Sequence, residues 1–255
     1  ILSMIEIFIL SLIQGITEFL PISSSSHLII FSEYLGFENQ NLSIDVSLHI
    51  GSFFAVLFYF RKDILNFFIN KELLLKIISS SIPVMFVGFI LIKFNLIDQL
   101  RNIKIIGWTT IIFGIFLYFG DKFQNVKEIK SDFNYKSALI IGFFQILSLV
   151  PGVSRSGITI TAARILNYKR VDSAKISFLL SIPTLAAVSF FGITNLIKND
   201  NIELSIINFI AIFLSFIFSL ITIKYFLKYI ENFNLNIFVI YRILLGLIIL
   251  SISYL

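Results

Sequence analysis

Long apolar stretches alternate with short polar connections along most of this chain. Crossing a bilayer as a helix takes about 20 mostly apolar residues. Suitable runs occur six times, at 44–60, 77–97, 103–120, 176–197, 203–227 and 236–255. The pattern therefore predicts an all-α polytopic membrane protein with about six transmembrane helices, folded as a single membrane domain over residues 1–255.

Two segments interrupt this apolar pattern with polar groups. The first polar segment, residues 14–27, has the sequence QGITEFLPISSSSH, and the second polar segment, residues 151–159, has the sequence PGVSRSGIT. Polar side chains at membrane depth are costly and are usually retained for a function. These two segments therefore form the candidate functional site.

Each polar segment also breaks a helix-like stretch that is too short to span a bilayer on either side of the break. Pro21 and the serines after it divide residues 4–35, and Pro151-Gly152 divides residues 138–167. We predict that both stretches are re-entrant helical hairpins, here called the first and the second hairpin. Irregular backbone at this depth is stable only when it is buried in protein or lines a wet cavity.

The chain repeats itself weakly. A shift of 130 residues superposes four pairs, namely Pro21 on Pro151, Ser24 on Ser154, Ser26 on Ser156 and Ser47 on Ser177. Each repeat then contains one hairpin and three spans, the first repeat over 1–125 and the second over 126–255. Because three is odd, the repeats should insert with opposite orientations, an arrangement that brings the two broken helices together near the midplane.

Composition agrees with this pattern, and charge adds an orientation. Hydrophobic residues make up 57% of the chain, charged residues 14%, and the mean hydropathy is +0.95, which is outside the range of soluble domains. The chain contains no cysteine, which excludes disulfides, thiolate catalysis and cysteine-ligated metals. Under the predicted topology one side carries fourteen Lys and Arg residues and the other carries four.

The positive-inside rule assigns the basic side to the cytoplasm. The first hairpin then opens to the outer side, the second rises from the cytoplasm, and both termini lie outside. Since the basic residues are explained by topology, no nucleic-acid partner is predicted.

The second polar segment is suited to binding phosphate. Ser154, Arg155, Ser156 and Thr159 stand at the start of a helix. Unpaired backbone N–H groups and the positive end of the helix dipole favour an anion there. The planar guanidinium of Arg155 adds donors that match phosphate oxygens. In the alternative interpretation Ser154 only caps the helix and Arg155 is a surface charge, but the membrane-like flanks argue against a surface position.

The first polar segment carries groups for acid–base and nucleophilic chemistry. Gln14 and Glu18 are four residues apart and share a helix face, and Ser23, Ser24 and His27 follow. A carboxylate can bind a divalent cation or act as a base, a hydroxyl can be a nucleophile, and an imidazole can exchange a proton. In the alternative interpretation the serines form a flexible turn and His27 is an interfacial polar residue.

Polar residues elsewhere give weaker signals. His49 begins a span together with Asp45 and Ser47, which we interpret as a polar helix entrance. Asp121 is expected in a solvated loop.

Together the two polar segments resemble those of one enzyme family. The patterns (E/Q)-G-x-T-E-F-L-P-x-S-S-x-x-H and P-G-x-S-R-S-G-x-T are similar to undecaprenyl-diphosphate phosphatases of the bacitracin-resistance type, and both fit without a gap. The resemblance covers essentially the whole chain. It implies an integral enzyme of the bacterial inner membrane that removes the terminal phosphate from undecaprenyl diphosphate on the outer side. This reaction recycles the lipid carrier of peptidoglycan synthesis and confers bacitracin resistance.

Carried over residue by residue, the resemblance implies catalytic roles for four residues: Glu18, Ser24, His27 and Arg155. It implies substrate contacts for the remaining polar positions, namely Gln14, Ser23, Ser154, Ser156 and Thr159. It also implies a divalent cation, Mg²⁺ or Ca²⁺, with Glu18 as a ligand. Gln14 stands where some family members have Glu. Since an amide cannot act as a base, the carboxylate chemistry would fall on Glu18.

Two alternatives stay open at the level of sequence. Arg155 and the nearby N–H groups would clamp the diphosphate while Ser24 attacks the terminal phosphorus, with His27 as the base or as the acid for the leaving phosphate. A water molecule activated by Glu18 or His27 is the competing nucleophile. The inverted repeat is also typical of transporters, so the alternative function is a flippase that moves polyprenyl phosphate across the membrane.

Overall fold

The structure of the chain is a computed structural model that describes residues 4–34, 42–67, 71–94, 96–100, 102–198 and 206–254. Within these ranges the regular structure is helical, so the predicted all-α fold is confirmed. The helices are α1 Met4–Thr17, α2 Ser24–Tyr34, α3 Leu42–Tyr59, α4 Arg61–Phe67, α5 Lys71–Lys93, α6 Ile97–Leu100, α7 Ile103–Asp121, α8 Ile129–Asp132, α9 Tyr135–Ile146, α10 Arg155–Ile165, α11 Arg170–Lys198, α12 Ile206–Asn232 and α13 Asn236–Tyr254.

Six of these helices are long and apolar enough to cross a membrane, namely α3, α5, α7, α11, α12 and α13. They match the six predicted spans, although α5 and α11 begin about two turns earlier than the apolar runs do, because a helix continues into polar sequence. The first residues of the span predicted at 203–227 lie outside the described ranges. Large apolar side chains on these helices face outward, among them Phe86, Phe190 and Phe213, as lipid contact requires.

The chain breaks at both predicted places. Helices α1 and α2 are separated by a turn that contains Pro21, and α9 and α10 by a short 3-10 turn followed by Pro151-Gly152. The four helices contain 14, 11, 12 and 11 residues, too few for any of them to span a bilayer. The positions of the two hairpins are therefore as predicted. Their re-entrant course relative to a membrane stays a prediction.

The two turns share an uncommon backbone geometry. Ser23 directly precedes α2 with a φ of 76°, and Ser154 directly precedes α10 with a φ of 69°. Few residues other than glycine adopt this left-handed region. Ser23 in the first turn is therefore the counterpart of Ser154 in the second, which corresponds to a shift of 131 residues. The predicted pairing of Ser24 with Ser154 is wrong by one position. Ser24 and Arg155, the first residues of their helices, are counterparts instead.

Helix packing follows the same pattern in the two halves of the chain. Helix α1 packs on α12, and α9 packs on α5, so the first helix of each hairpin lies against a span of the other half. Two further pairs, α3 with α11 and α7 with α13, join corresponding spans of the two halves. The division into repeats over 1–125 and 126–255 stays a prediction.

Asp121 is buried, so its predicted position in a solvated loop is wrong. Its carboxylate accepts hydrogen bonds from Arg170 Nε at 2.7 Å, from Arg164 Nε at 3.3 Å and from the Leu235 backbone N–H at 3.1 Å. Arg164 is fully buried and also donates to the carbonyl of Gln124. This cluster connects the ends of α7 and α10 with the starts of α11 and α13.

Candidate active site

Glu18 lies just after α1, where the two polar segments meet. The residue is 8% exposed. Its Oε1 accepts a hydrogen bond from Arg155 Nη2 at 2.7 Å, and its Oε2 accepts from Ser24 Oγ at 2.8 Å and from Gln14 Nε2 at 3.2 Å. The structure thus places one residue of the second polar segment, Arg155, and two of the first, Gln14 and Ser24, around the Glu18 carboxylate.

Two helix starts converge on this carboxylate. Ser24 is the first residue of α2 and Arg155 the first residue of α10. Helix N-termini carry partial positive charge, which stabilises both the buried carboxylate and an anionic ligand. Arg155 also donates to the carbonyl of Ser177 on α11 at 3.2 Å. The guanidinium is therefore fixed between the two hairpins and a neighbouring span.

Ser24 is the serine that contacts the Glu18 carboxylate and is still partly exposed. Its side chain is half-buried, whereas Ser23 and Ser26 are buried and bond to each other at 3.0 Å. Ser25 is exposed, and its hydroxyl pairs with Ser23 at 3.3 Å. Ser24 thus combines access with a carboxylate partner, which is the arrangement that a nucleophile needs.

The imidazole of His27 is directed to α13 rather than to Ser24. His27 Nδ1 lies 2.6 Å from the backbone oxygen of Ser23, and Nε2 lies 2.6 Å from the phenol oxygen of Tyr241. Since a carbonyl only accepts, Nδ1 carries a proton, and in the neutral imidazole Nε2 then accepts from the phenol. The rings of His27 and Tyr241 are stacked, with centroids 5.8 Å apart. Both nitrogens of His27 are thus engaged, and the Ser24 hydroxyl bonds to Glu18 instead.

The hydroxyls of the second polar segment are buried and bond within the protein. Ser154 Oγ accepts from the Gly157 N–H at 3.1 Å, which confirms its role as a helix cap. Ser156 Oγ donates to the backbone oxygen of Leu20 at 2.7 Å, so it connects the second hairpin to the turn of the first. Thr159 Oγ1 lies 2.8 Å from Ser177 Oγ. These groups position Arg155.

The turn of the second hairpin requires glycine at position 152. Gly152 has a φ of 93°, and a Cβ there would lie 2.0 Å from Thr109 Oγ1. Thr109 itself donates to the backbone oxygen of Pro151 at 2.6 Å. Helix α7 therefore packs so closely against this turn that no side chain fits at position 152.

Three side chains near the site were not predicted to belong to it: His49, Tyr241 and Arg242. His49 lies within α3, and its Nδ1 is 3.1 Å from Gln14 Nε2, so it accepts from the amide. His49 lies in the first half of its span, together with Asp45 and Ser47, and it also contacts the first polar segment, which the sequence could not show because the direction of a side chain on an apolar helix depends on packing.

Arg242 is fully buried in the apolar helix α13. Its guanidinium donates to four backbone oxygens: Thr110 at 3.1 Å, Pro21 at 3.2 Å, Val153 at 3.1 Å and Gly152 at 2.8 Å. A single arginine inside the predicted span 236–255 was the sequence signal for this role, because an ionisable residue in a span usually has a function.

The cluster offers oxygen ligands for a hard cation. Gln14 Oε1 is buried without a hydrogen-bond partner, close to the Glu18 carboxylate to which the same amide donates. Magnesium is commonly bound by one or two carboxylates together with substrate phosphates. The described ranges contain no group of three or more His, Asp or Glu residues that could hold an ion. Glu18 and Gln14 therefore fit a cation that is shared with a phosphate ligand rather than one enclosed by protein.

Comparison with known proteins identifies the family of this chain. A family model described as bacitracin resistance protein BacA matches residues 7–248. An undecaprenyl-diphosphatase from Pelagibacter ubique is 51% identical over 99% of this chain and 98% of its own length. Undecaprenyl-diphosphatases from Jannaschia sp. and Saccharophagus degradans are 38% and 41% identical, over 99% and 93% of this chain and 100% and 93% of their own lengths. The chain therefore belongs to the bacitracin resistance protein BacA family.

Proposed function

We propose that this chain hydrolyses undecaprenyl diphosphate to undecaprenyl phosphate and inorganic phosphate. As a phosphatase of this kind it recycles the lipid carrier of peptidoglycan synthesis and confers bacitracin resistance. The observation that carries the proposal is the contact of Glu18 with Arg155 and Ser24, in a chain whose relatives are named undecaprenyl-diphosphatase. These names favour hydrolysis over the flippase alternative.

The substrate's two parts would bind different surfaces. The diphosphate binds at Arg155 and the two helix starts, where positive charge and donors converge. The polyprenyl chain lies along the apolar outer surface of the spans. The count of basic residues supports a site open to the outer side of the inner membrane, with both termini outside.

Chemistry at the cluster begins with Ser24. Its Oγ attacks the terminal phosphorus, its proton passes to Glu18 across the 2.8 Å hydrogen bond, and the bond from phosphorus to the bridging oxygen breaks. Undecaprenyl phosphate leaves, and Arg155 neutralises charge on the transferring phosphoryl group. Water then cleaves the phosphoserine to release inorganic phosphate. His27 has a supporting role, because both of its nitrogens are engaged elsewhere.

A divalent cation, Mg²⁺ or Ca²⁺, would be held by Glu18 with the free oxygen of Gln14. When bound, it would supply further neutralisation of the diphosphate charge. Gln14 also orients Glu18 through its amide N–H.

Phosphate release from detergent-solubilised protein tests the proposed function. A phosphatase turns over in detergent, whereas a pure flippase has no reaction to catalyse there. We expect undecaprenyl diphosphate to yield inorganic phosphate, and we expect a chelator to remove this activity until Mg²⁺ or Ca²⁺ is restored. Absence of phosphate release by folded protein in the presence of both cations would contradict the proposal. Full activity in the chelator would contradict the role of the cation.

Replacing Ser24 by alanine separates the two possible nucleophiles. If Ser24 attacks, Ser24→Ala should lower kcat by at least about 10²-fold, since loss of a nucleophile removes the covalent route. Acid quenching of wild-type turnover with labelled terminal phosphate should trap a phosphoserine at position 24. Ser25→Ala is the matched control and should keep wild-type turnover. Near-native turnover of Ser24→Ala would instead establish water as the nucleophile.

A further inference from the structure

Helix α13 holds both hairpins through two consecutive residues, Tyr241 and Arg242. We propose that these are positioning residues of the active site: Arg242 fixes the two turns relative to each other, and Tyr241 fixes the ring of His27. This inference rests on the proposed function for its kinetic consequences. Its structural consequences can be measured without turnover.

Arg242 contacts both turns immediately before the residues that converge on Glu18. Its Nη1 bonds to the backbone oxygens of Pro21 and Val153, and its Nη2 bonds to that of Gly152. Pro21 precedes α2 and Gly152-Val153 precedes α10, so one guanidinium sets the distance between the two helix starts. Its Nε bonds to α7, which anchors the group to a span.

A guanidinium is needed for this arrangement. Arg242 is fully buried, and within the described part of the chain no carboxylate lies at ion-pair distance from it. Its charge is therefore stabilised by carbonyl dipoles on three separate segments. The ammonium of lysine is a compact point charge and cannot replace a planar fork whose donors point in several directions.

Tyr241 supports the first turn through His27. The Tyr241 phenol bonds to His27 Nε2, and His27 Nδ1 bonds to the backbone oxygen of Ser23. Ser23 has the left-handed backbone and directly precedes Ser24. The sequence of contacts from α13 through the imidazole to this turn therefore stabilises the backbone that presents the nucleophile.

Conservative replacement of Arg242 tests the first half of the proposal. Misplacement of reacting groups by about 1 Å can cost about 10²-fold in rate, so we expect Arg242→Lys to lower kcat by about that factor while the protein stays folded. Arg164→Lys is the matched control. Arg164 is also fully buried and also bonds to backbone carbonyls. It lies in the last turn of α10, nine residues after Arg155, and so away from the two turns that Arg242 contacts. We expect this control to lower the thermal midpoint and leave kcat of the folded fraction unchanged.

A wild-type kcat in folded Arg242→Lys would overturn the positioning role, and so would an equal loss of kcat in both variants. If Arg242→Lys does not fold, two alanine substitutions on α7 provide the test. All three of the nearest atoms to a Cβ at Gly114 belong to Arg242, the closest being Cβ at 3.1 Å, whereas the three nearest to a Cβ at Gly107 belong to Leu250, at 2.7 Å, and Ile249. We expect Gly114→Ala, and not Gly107→Ala, to lower kcat. Equal kcat values for Gly114→Ala and Gly107→Ala would overturn the proposal.

Nitrogen NMR of histidine-labelled protein tests the second half. The chain contains only two histidines, so His49 is an internal reference for His27. We expect Tyr241→Phe to shift the Nε2 signal of His27, to leave the signals of His49 unchanged and to lower kcat. An unchanged His27 signal, or an unchanged kcat, would overturn the role of Tyr241. Because the NMR shift requires no turnover, it separates this inference from the proposed function, which fails if the wild-type protein releases no phosphate.

Discussion

Replacing Arg155 by alanine should lower kcat for phosphate release from undecaprenyl diphosphate by about 10³-fold or more. The Arg155 guanidinium is largely buried, with 14% of its side chain exposed, and lies 2.7 Å from Glu18. Arginines that stabilise a transferring phosphoryl group typically contribute about 10³–10⁵-fold to the rate. Arg155→Lys should retain part of this effect, because it keeps the charge but loses the planar fork. Steady-state phosphate release in detergent, with thermal unfolding of the same samples, measures both variants.

Arg61→Ala is the control for this prediction. Arg61 lies at the exposed start of α4, where it donates to the backbone oxygen of Phe58. Its removal should leave kcat unchanged. A folded Arg155→Ala protein that turns over as fast as Arg61→Ala would contradict the assignment of Arg155 to the diphosphate.

Glu18→Gln should cause a loss of similar size, about 10³-fold in kcat, because it removes the base of the reaction and the charged ligand of the cation together. The substitution preserves shape. The new amide oxygen can still accept from Arg155, and the Ser24 hydroxyl can reverse its role and accept from the new amide nitrogen, so that only the acceptor for the Gln14 amide is lost. The loss should therefore appear in turnover rather than in folding, and added Mg²⁺ or Ca²⁺ should not restore it.

Glu128→Gln provides the matched comparison for Glu18→Gln. Glu128 is exposed, and it too pairs with a basic residue, Lys169. Exposed ion pairs contribute little to stability, so this variant should behave as wild type. Wild-type turnover of folded Glu18→Gln would show that the carboxylate is not required.

The general plan of the molecule could be predicted from the sequence because long apolar runs and proline breaks act locally. The six spans and the two broken helices depend on composition over about 20 residues, and Pro21 and Pro151 mark the breaks wherever the helices pack. The convergence of Glu18, Ser24 and Arg155 was also predictable. Polar groups in two broken helices of an inverted repeat have few places to be buried except against each other.

The remaining contacts depend on which way side chains face, and sequence does not determine that on an apolar helix. The resemblance implies that His27 is the base for Ser24 or the acid for the leaving phosphate, yet its nitrogens contact the Ser23 backbone oxygen and Tyr241, which is 214 residues away. The sequence predicts a helix entrance for His49 and a solvated loop for Asp121, but it does not predict the contacts of His49 with Gln14 and of Asp121 with Arg164. Pairing of the turns through Pro21 and Pro151 was wrong by one position, because the backbone conformation at Ser23 does not show in the pattern of residue types.

The central claim is that the two hairpins form one hydrolytic site, in which Glu18 and Arg155 act together. Residues that act as a unit are strongly non-additive when replaced. Phosphate release from undecaprenyl diphosphate by the wild-type protein, the two single variants Glu18→Gln and Arg155→Ala, and the double variant tests this directly. The account predicts turnover by the wild type and a double variant no slower than the slower single variant. Absence of phosphate release by the folded wild type, or losses that multiply in the double variant, would contradict it.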